Sequence, residues 1–455
     1  MDKVNYTISQ SSTIRDSLVK IDLNSIGMVF ISDENERIVG VATDGDIRSC
    51  LLDKATLSDS IERVFNPNFV WRKDTDSRES ILKLLDSKIK AIPILDSDMR
   101  LVDVITPAQF PLLIEKDIFS RSKAPVRISF AGGGSDLTHY FMAEGGAVIN
   151  ATISLYCHVT LRPRNDKKIT IDSLDLGETV GFEDLKDLLL RSDNFGLFRS
   201  LLTLVKPDFG FDLSVNSDFP SGSGLGGSSS VMVATLGCFN ELRRDKWDDY
   251  ELAEMAFQAE RLNMGISGGW QDQYATVFGG FNFIEFKHDD NLIHPLRLKD
   301  TTILELQENL VLFEITSGRN SGSIHDDQKT TMQDSKVQNM VKKNVIHCYS
   351  MRDKLLKGRL DEFGLGLNLA WKLKRQFSDK ISNDDLDDIY SYAIENGALG
   401  GKLLGAGAGG FFLFYVKAFS KNIFLTAMKH KGLSQTVFHF DHDGMQSWTN
   451  RDTYK

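Results

Sequence analysis

Apolar and polar residues alternate at strand spacing through much of the first half of the chain and shift to helical spacing in parts of the second. Near the start one order occurs twice. Gly27-Met-Val-Phe-Ile-Ser-Asp33, Arg37-Ile-Val-Gly-Val-Ala-Thr43 and a helix opening at Asp44 are followed by Ala91-Ile-Pro-Ile-Leu-Asp96, Arg100-Leu-Val-Asp-Val-Ile-Thr106 and Pro107-Ala-Gln-Phe-Pro111. An internal duplication over residues 1–115 is the simplest account. Residues 116–122 are short and charged and read as a linker. A second pattern then begins: Ala124–Ala131, Gly146–Ile153, Leu155–Arg164 and Lys168–Ser173 read as strands, and Phe211-Asp-Leu-Ser-Val-Asn-Ser217 alternates as a half-buried antiparallel strand does. Val231–Leu242 and Tyr250–Leu262 carry helical patterns. From about residue 300 come a strand over Asn309–Thr316, a polar loop, long amphipathic helices through Phe377, and an apolar strand over Phe411–Val416.

The 455 residues suffice for about three domains with a sizeable core. No apolar run reaches membrane length and no signal-peptide pattern opens the chain, so the expected location is cytoplasmic. A formal charge of −10 argues against a nucleic-acid or anionic-membrane surface, though not against a small anionic substrate. Cys50, Cys157, Cys238 and Cys348 are scattered without paired spacing, which suggests neither disulfides nor zinc. His439 and His442 lack a third ligand nearby and read as an exposed strand end.

The chemistry concentrates in glycine-rich turns. Pro220-Ser-Gly-Ser-Gly-Leu-Gly-Gly-Ser-Ser-Ser230 runs directly into a helix, and such a loop lets backbone N–H groups and the positive helix end approach a phosphate. A flexible loop is the plain alternative. The spacing Gly222-x-Gly224-x-x-Gly227 also matches a dinucleotide fingerprint, but the strand before it alternates and Glu241 ends the helix rather than a second strand. Phosphate binding without a dinucleotide is therefore favoured. Gly132-Gly-Gly-Ser-Asp136 ends a strand in a tight turn with a carboxylate that can accept hydrogen bonds from hydroxyls or serve the turn alone. Glu260 falls near a helix end. Asp272 follows Gly268-Gly-Trp-Gln at a helix start, where a carboxylate is fixed and favoured. Gly397-Ala-Leu-Gly-Gly-Lys-Leu-Leu-Gly-Ala-Gly-Ala-Gly-Gly410 supplies a third close backbone approach beside a strand. Lys372, Lys374 and Arg375 make one helix locally basic, usually the sign of a solvated face.

Three motifs in this order, Ala124-Pro-x-Arg…Gly-Gly-Gly-Ser-Asp136, Pro220-x-Gly-x-Gly-Leu-Gly…Ser-Ser and Lys402-Leu-Leu-Gly-Ala-Gly-x-Gly-Gly410, resemble those of the GHMP family of small-molecule kinases over roughly residues 123–455. The likeness is strongest to its D-glycero-D-manno-heptose 7-phosphate kinase branch, while Gly268-Gly-Trp-Gln-Asp-Gln273 is nearer to L-fucose kinases. Gly227 departs from the family by standing where a first serine is usual. The resemblance implies an α/β (α+β) fold of two lobes, residues 123–300 and 301–455, with ATP and a sugar between them. It further implies that Pro220, Gly222, Ser223, Gly224, Leu225, Gly226, Gly227, Ser228 and Ser229 hold ATP, and that Ser228 and Glu260 hold Mg²⁺. Asp272 would take the proton of an anomeric hydroxyl while Arg127 keeps it ionised. Gly133, Gly134 and Asp136 would bind the sugar, Gly407 and Gly409 would close over phosphates or substrate, and Arg319, with Lys372, Lys374 and Arg375, would be candidates for a distal phosphate.

Residues 1–115 resemble a tandem CBS module. In that family a Thr and an Asp three residues on hold an adenosyl ribose, and Thr43 and Asp46 fit. Gln109 stands where the second acid would be. The implied partner is AMP or ATP at one site; a module that merely dimerises, pairing with a second copy of the chain in a homodimer and binding no nucleotide, is the alternative. Two readings of other classes compete: an inactive adenine-nucleotide sensor, which intact Ser228, Glu260 and Asp272 oppose, and an NAD-dependent oxidoreductase, which rests on the glycine spacing alone.

Overall fold

The computed structural model describes residues 5–76, 81, 84, 89–106, 118–264, 268–315 and 334–451. Arg319, Gln109 and the polar loop after Thr316 lie outside them. The chain divides into two compact units, residues 1–116 and 117–455.

The first unit holds two three-stranded sheets of one design. Strands β1 (Thr7–Ser9), β2 (Met28–Ser32) and β3 (Ile38–Thr43) pair in that order, the outer pair parallel and the inner antiparallel. Strands β4 (Arg72–Lys73), β5 (Ile92–Leu95) and β6 (Leu101–Ile105) repeat it. Even the register slip recurs, at Ile31/Ser32 and again at Ile94/Leu95. A bridge joins Arg37 to Arg100, and Met28, Phe30 and Ile38 share a core with Ala91, Leu95 and Val104. The duplicated pattern thus folds as a duplicated structure.

The second unit opens with strand β7 (Ile118–Ala131), so residues 118–122, expected as linker, are sheet. Ser122 is opposite Val159 on one side and Ser447 on the other. The cause is size: Ser120 and Ser122 are buried, and a Cβ on Gly237 of the covering helix would come within 2.7 Å of Ser122 Oγ. Small hydroxyls fill a place where sequence patterning expects apolar bulk.

Strand β8 (Gly146–Arg164) is long enough to pair with β7, with β11 (Gly210–Ser217) and with β12 (Phe281–Phe286). The sheet runs in the order β10 (Glu178–Phe182), β9 (Ile169–Ser173), β11, β8, β12, β13 (Asn291–Pro295), with β7 also against β8. β11 is half-buried as expected, antiparallel to β8 but parallel to β9. A second sheet orders β15 (Ala398–Leu403), β16 (Gly410–Val416), β14 (Leu310–Ile315) and β17 (Gln435–Thr436). Val311, Phe313, Phe412 and Phe414 pack there with Trp371 of the helix Leu360–Lys374.

The expected division at residue 300 is not clean. The Asp441 N–H donates to the Thr152 carbonyl and its carbonyl accepts from the Gly280 N–H, and β18 (Gln446–Arg451) adds to β7, so the last described segment returns to the first sheet. No helix among the described residues is long and apolar enough to cross a membrane.

Candidate active site

A cavity of about 870 Å³ lies in the second unit, lined by the glycine loop after β11, the turn after β7, the start of the helix Gln271–Phe278 and residues from the second sheet. The glycine loop is shaped by left-handed backbone. Gly224 has φ +72°, and a Cβ there would stand 2.9 Å from the Leu404 carbonyl oxygen. Gly405, at φ +76°, would place a Cβ 2.5 Å from Gly224 Cα. The first and third glycine turns therefore meet backbone to backbone, which side chains would prevent. Gly226, also left-handed, precedes the helix Gly227–Glu241, whose free N–H groups open toward the cavity.

The three serines diverge in use. Ser228 and Ser229 both donate to Glu260, the latter at 2.7 Å, while Ser230 donates 2.6 Å to the Ala124 carbonyl and fastens the helix to β7. Glu260 is fully buried in a π-helical turn over Gln258–Asn263, a local widening common at functional sites. Its carboxylate also accepts from Gln273 Nε2 at 2.7 Å and pairs with Arg261 at 3.4 Å.

Asp272 sits in the first turn of the helix Gln271–Phe278, whose entry is fixed by Trp270 stacked on Phe257 at 3.5 Å and donating to Thr138. Arg127 meets it with Nε at 2.8 Å and Nη2 at 2.7 Å, both on Oδ1. Nη1 of the same guanidinium donates 2.8 Å to the Gly224 carbonyl, and its backbone N–H donates to Leu225. One buried arginine thus locks the glycine loop to the acid. Among the described residues nothing hydrogen-bonds Oδ2.

Asp136 is buried on the same wall and accepts from the Gly134 and Gln271 N–H groups at 2.9 and 3.3 Å. Burial, then the nearby Asp272 charge, pushes its carboxyl above the ordinary range. Gly269 covers it: a Cβ there would lie 1.8 Å from Oδ2. Gly133 and Gly134 line the cavity, and Asn344 donates 3.1 Å to the Gly133 carbonyl.

Other expected residues fall elsewhere. Leu225 is core beneath the loop, and Ser229 touches Glu260 rather than the cavity. Gly407 and Gly409 are not on the lining, which their turn reaches through Gly405 and Ala406; Gly407 packs on Ile381. The basic trio separates: Lys372 is exposed, Arg375 pairs with Asp387, and Lys374 is buried on the cavity wall. Thr43 and Asp46 form a capping box, with Thr43 Oγ1 donating to Asp46 at 2.6 Å, as Thr13 and Asp16 do on the preceding helix. The sequence assigns no role to Lys402, Gln271, Gln273 or Arg261, although Lys402 opens the third motif and the Gln residues flank Asp272.

Burial drives the Lys374 ammonium down to about 8, Arg127 adds to this, and Asp136 and Asp272 oppose it. Lys402, also adjacent, is lowered well below its usual range by burial, then by Lys374 and Arg127. A lysine depressed in the fold binds its proton less well than in the unfolded chain. Between about 8 and the ordinary lysine range the unfolded state holds more protons, so this group's contribution to stability rises with pH through that window. Lys374→Met is expected to flatten that rise and to raise the melting temperature near neutral pH. Thermal unfolding of both proteins across pH tests this; parallel curves would refute it.

These loops and this pairing suit a small-molecule phosphotransferase, and the comparisons with known proteins give the family. The family described as GHMP kinases N terminal domain matches residues 195–280, GHMP kinases C terminal matches 351–423, and the CBS domain matches 1–53. The D-glycero-alpha-D-manno-heptose 7-phosphate kinase of Campylobacter jejuni is 38% identical over 338 residues, 72% of this chain and 98% of its own. The L-fucokinase/L-fucose-1-P guanylyltransferase of Bacteroides fragilis is 27% identical over 326 residues, 65% of this chain and 34% of its own. A crystal structure of a D-glycero-D-manno-heptose 1-phosphate kinase from Bacteroides thetaiotaomicron superposes with TM-score 0.60 at 30% identity, covering 72% of this chain and 98% of that one. The chain belongs to the GHMP kinases, with a CBS domain at its N-terminus, and is an ATP-dependent kinase.

Proposed function

We propose that the protein transfers the terminal phosphoryl group of ATP to the anomeric hydroxyl of D-glycero-D-manno-heptose 7-phosphate, giving the 1,7-bisphosphate for nucleotide-activated heptose and surface polysaccharide. The observation that carries the reading is the Arg127–Asp272 pair fastened to Gly224 of the glycine loop, which holds an acid beside the place where phosphates would lie. The similarity to the Campylobacter jejuni kinase supports the choice of sugar.

In this mechanism the glycine loop and the N–H groups of the following helix hold the nucleotide phosphates. Asp272 accepts the proton of the acceptor hydroxyl at its unbonded Oδ2 while Arg127 holds Oδ1 and the orientation. The new oxygen–phosphorus bond forms as the bond to the leaving ADP oxygen breaks. Asp136, Gly133 and Gly134 face the sugar. Glu260 and Ser228 offer hard oxygen donors that fit Mg²⁺, which commonly takes one or two carboxylates besides phosphate oxygens and water. When bound, it would neutralise phosphate charge.

Coupled ATP-consumption assays with heptose 7-phosphate, free heptoses, L-fucose and hexose phosphates test the reading. The heptose 7-phosphate should give the highest kcat/KM. Preference for L-fucose would favour the second reading, which the Bacteroides fragilis relative supports, and no ATP consumption with any acceptor would favour the sensor.

For the N-terminal unit the reading includes AMP or ATP at Thr43 and Asp46 and a homodimer. The CBS match supports the nucleotide. Recognition would have to share side chains already closing a helix cap. AMP or ATP should shift the melting temperature of the full chain, and Asp46→Ala should lose the shift while also weakening the capping box it forms with Thr43.

A further inference from the structure

Lys374 and Lys402 reach the cavity from different elements, the end of the helix Leu360–Lys374 and strand β15. They are only 9% and 3% exposed. No ion pair joins either to a described carboxylate. Lys374 donates to the Gly405 carbonyl, and Gly405 is the residue packed on Gly224 of the nucleotide loop. Its ammonium has donors to spare beyond that carbonyl. Both lysines share the cavity lining with Arg127, Asp136 and Asp272.

Burying one ammonium without a counter-charge is costly, and a second beside it and beside Arg127 adds repulsion. The free protein carries a cost that an entering anion relieves, and phosphate oxygens are the anions this cavity is built to receive.

We propose that Lys374 and Lys402 together form a phosphate subsite in the cavity that Asp136 and Asp272 also line. The proposal rests on the kinase reading of the cavity. The phosphate has two sources: the phosphoryl group in transfer, or a phosphate the acceptor sugar already carries.

The full-length protein, Lys374→Met and Lys402→Met are compared in two measurements. In the first, inorganic phosphate is expected to raise the melting temperature of the wild type above that in chloride of equal ionic strength, with the shift lost in both variants and kept in Lys374→Arg. This arm needs no turnover and stands even if every acceptor fails, which would sink the kinase reading alone. In the second, ATP and acceptor are varied separately. A rise of ~10-fold or more in KM for the sugar phosphate, with ATP parameters and the rate on the unphosphorylated sugar unchanged, assigns the subsite to the acceptor's phosphate. An effect confined to kcat or to KM for ATP assigns it to the group in transfer. Retention of the phosphate shift in both variants, with kcat and both KM values within about twofold of wild type, would overturn the subsite.

Discussion

Asp272→Asn should lower turnover by ~10³-fold or more while leaving nucleotide affinity within a few-fold of wild type. The substitution keeps the side chain's shape, so the helix start, the Trp270 stack and the covering Gly226 have no reason to move. An amide oxygen can still accept from Arg127. What is lost is the negative charge and any capacity to take the acceptor's proton at Oδ2. A base of this kind typically accounts for about 10² to 10⁴ of rate, and the amide also leaves Arg127 buried without its counter-ion. Single-turnover rates and equilibrium binding of an ATP analogue separate the two quantities. Turnover within a few-fold of wild type would remove Asp272 from the chemistry.

Glu260→Ala should cost about 3–5 kcal/mol of stability. Its carboxylate is the shared acceptor for Ser228, Ser229 and Gln273 and pairs with Arg261, so truncation removes an ion pair and leaves the buried Ser229 and Gln273 donors without their acceptor. Glu260→Gln separates structure from chemistry. It retains the volume and one acceptor, so stability should fall by less, yet the site loses its anionic oxygen donor. If Glu260 and Ser228 hold Mg²⁺, the Mg²⁺ concentration for half-maximal activity should rise by ~10-fold or more in the Gln variant. A lowered melting temperature with unchanged Mg²⁺ dependence would make the cluster purely structural.

How far the site was legible depended on how local its logic is. The glycine loop, the helix after it and Asp272 at a helix start are all encoded within a dozen neighbours, and the structure places them where spacing put them. Arg127 and Glu260 were legible through the family motif and the end of a helical pattern, but the π-turn that aims Glu260 at the serines leaves no periodic trace. Lys374 shows the opposite case. Between Lys372 and Arg375 it reads as one charge on a wet face, because period alone does not reveal that Leu373 and Lys374 both turn inward beneath the Gly405 turn. Residues 118–122 misled for the complementary reason, since buried serines imitate a linker. Thr43 and Asp46 matched a ligand pattern that is also a helix-capping pattern, and their side chains are occupied with the cap.

The pairing of β18 with β7 has a consequence for synthesis. The ribosome emits β7 more than three hundred residues before its outer partner, so one edge of the large sheet waits uncovered while nearly all the rest of the unit is made. A nascent chain can collapse around β8, but residues 118–123 of β7 gain their outer partner only once β18 has been made. Stalled or prematurely terminated products would therefore present an open strand edge, the surface most prone to pair with another chain.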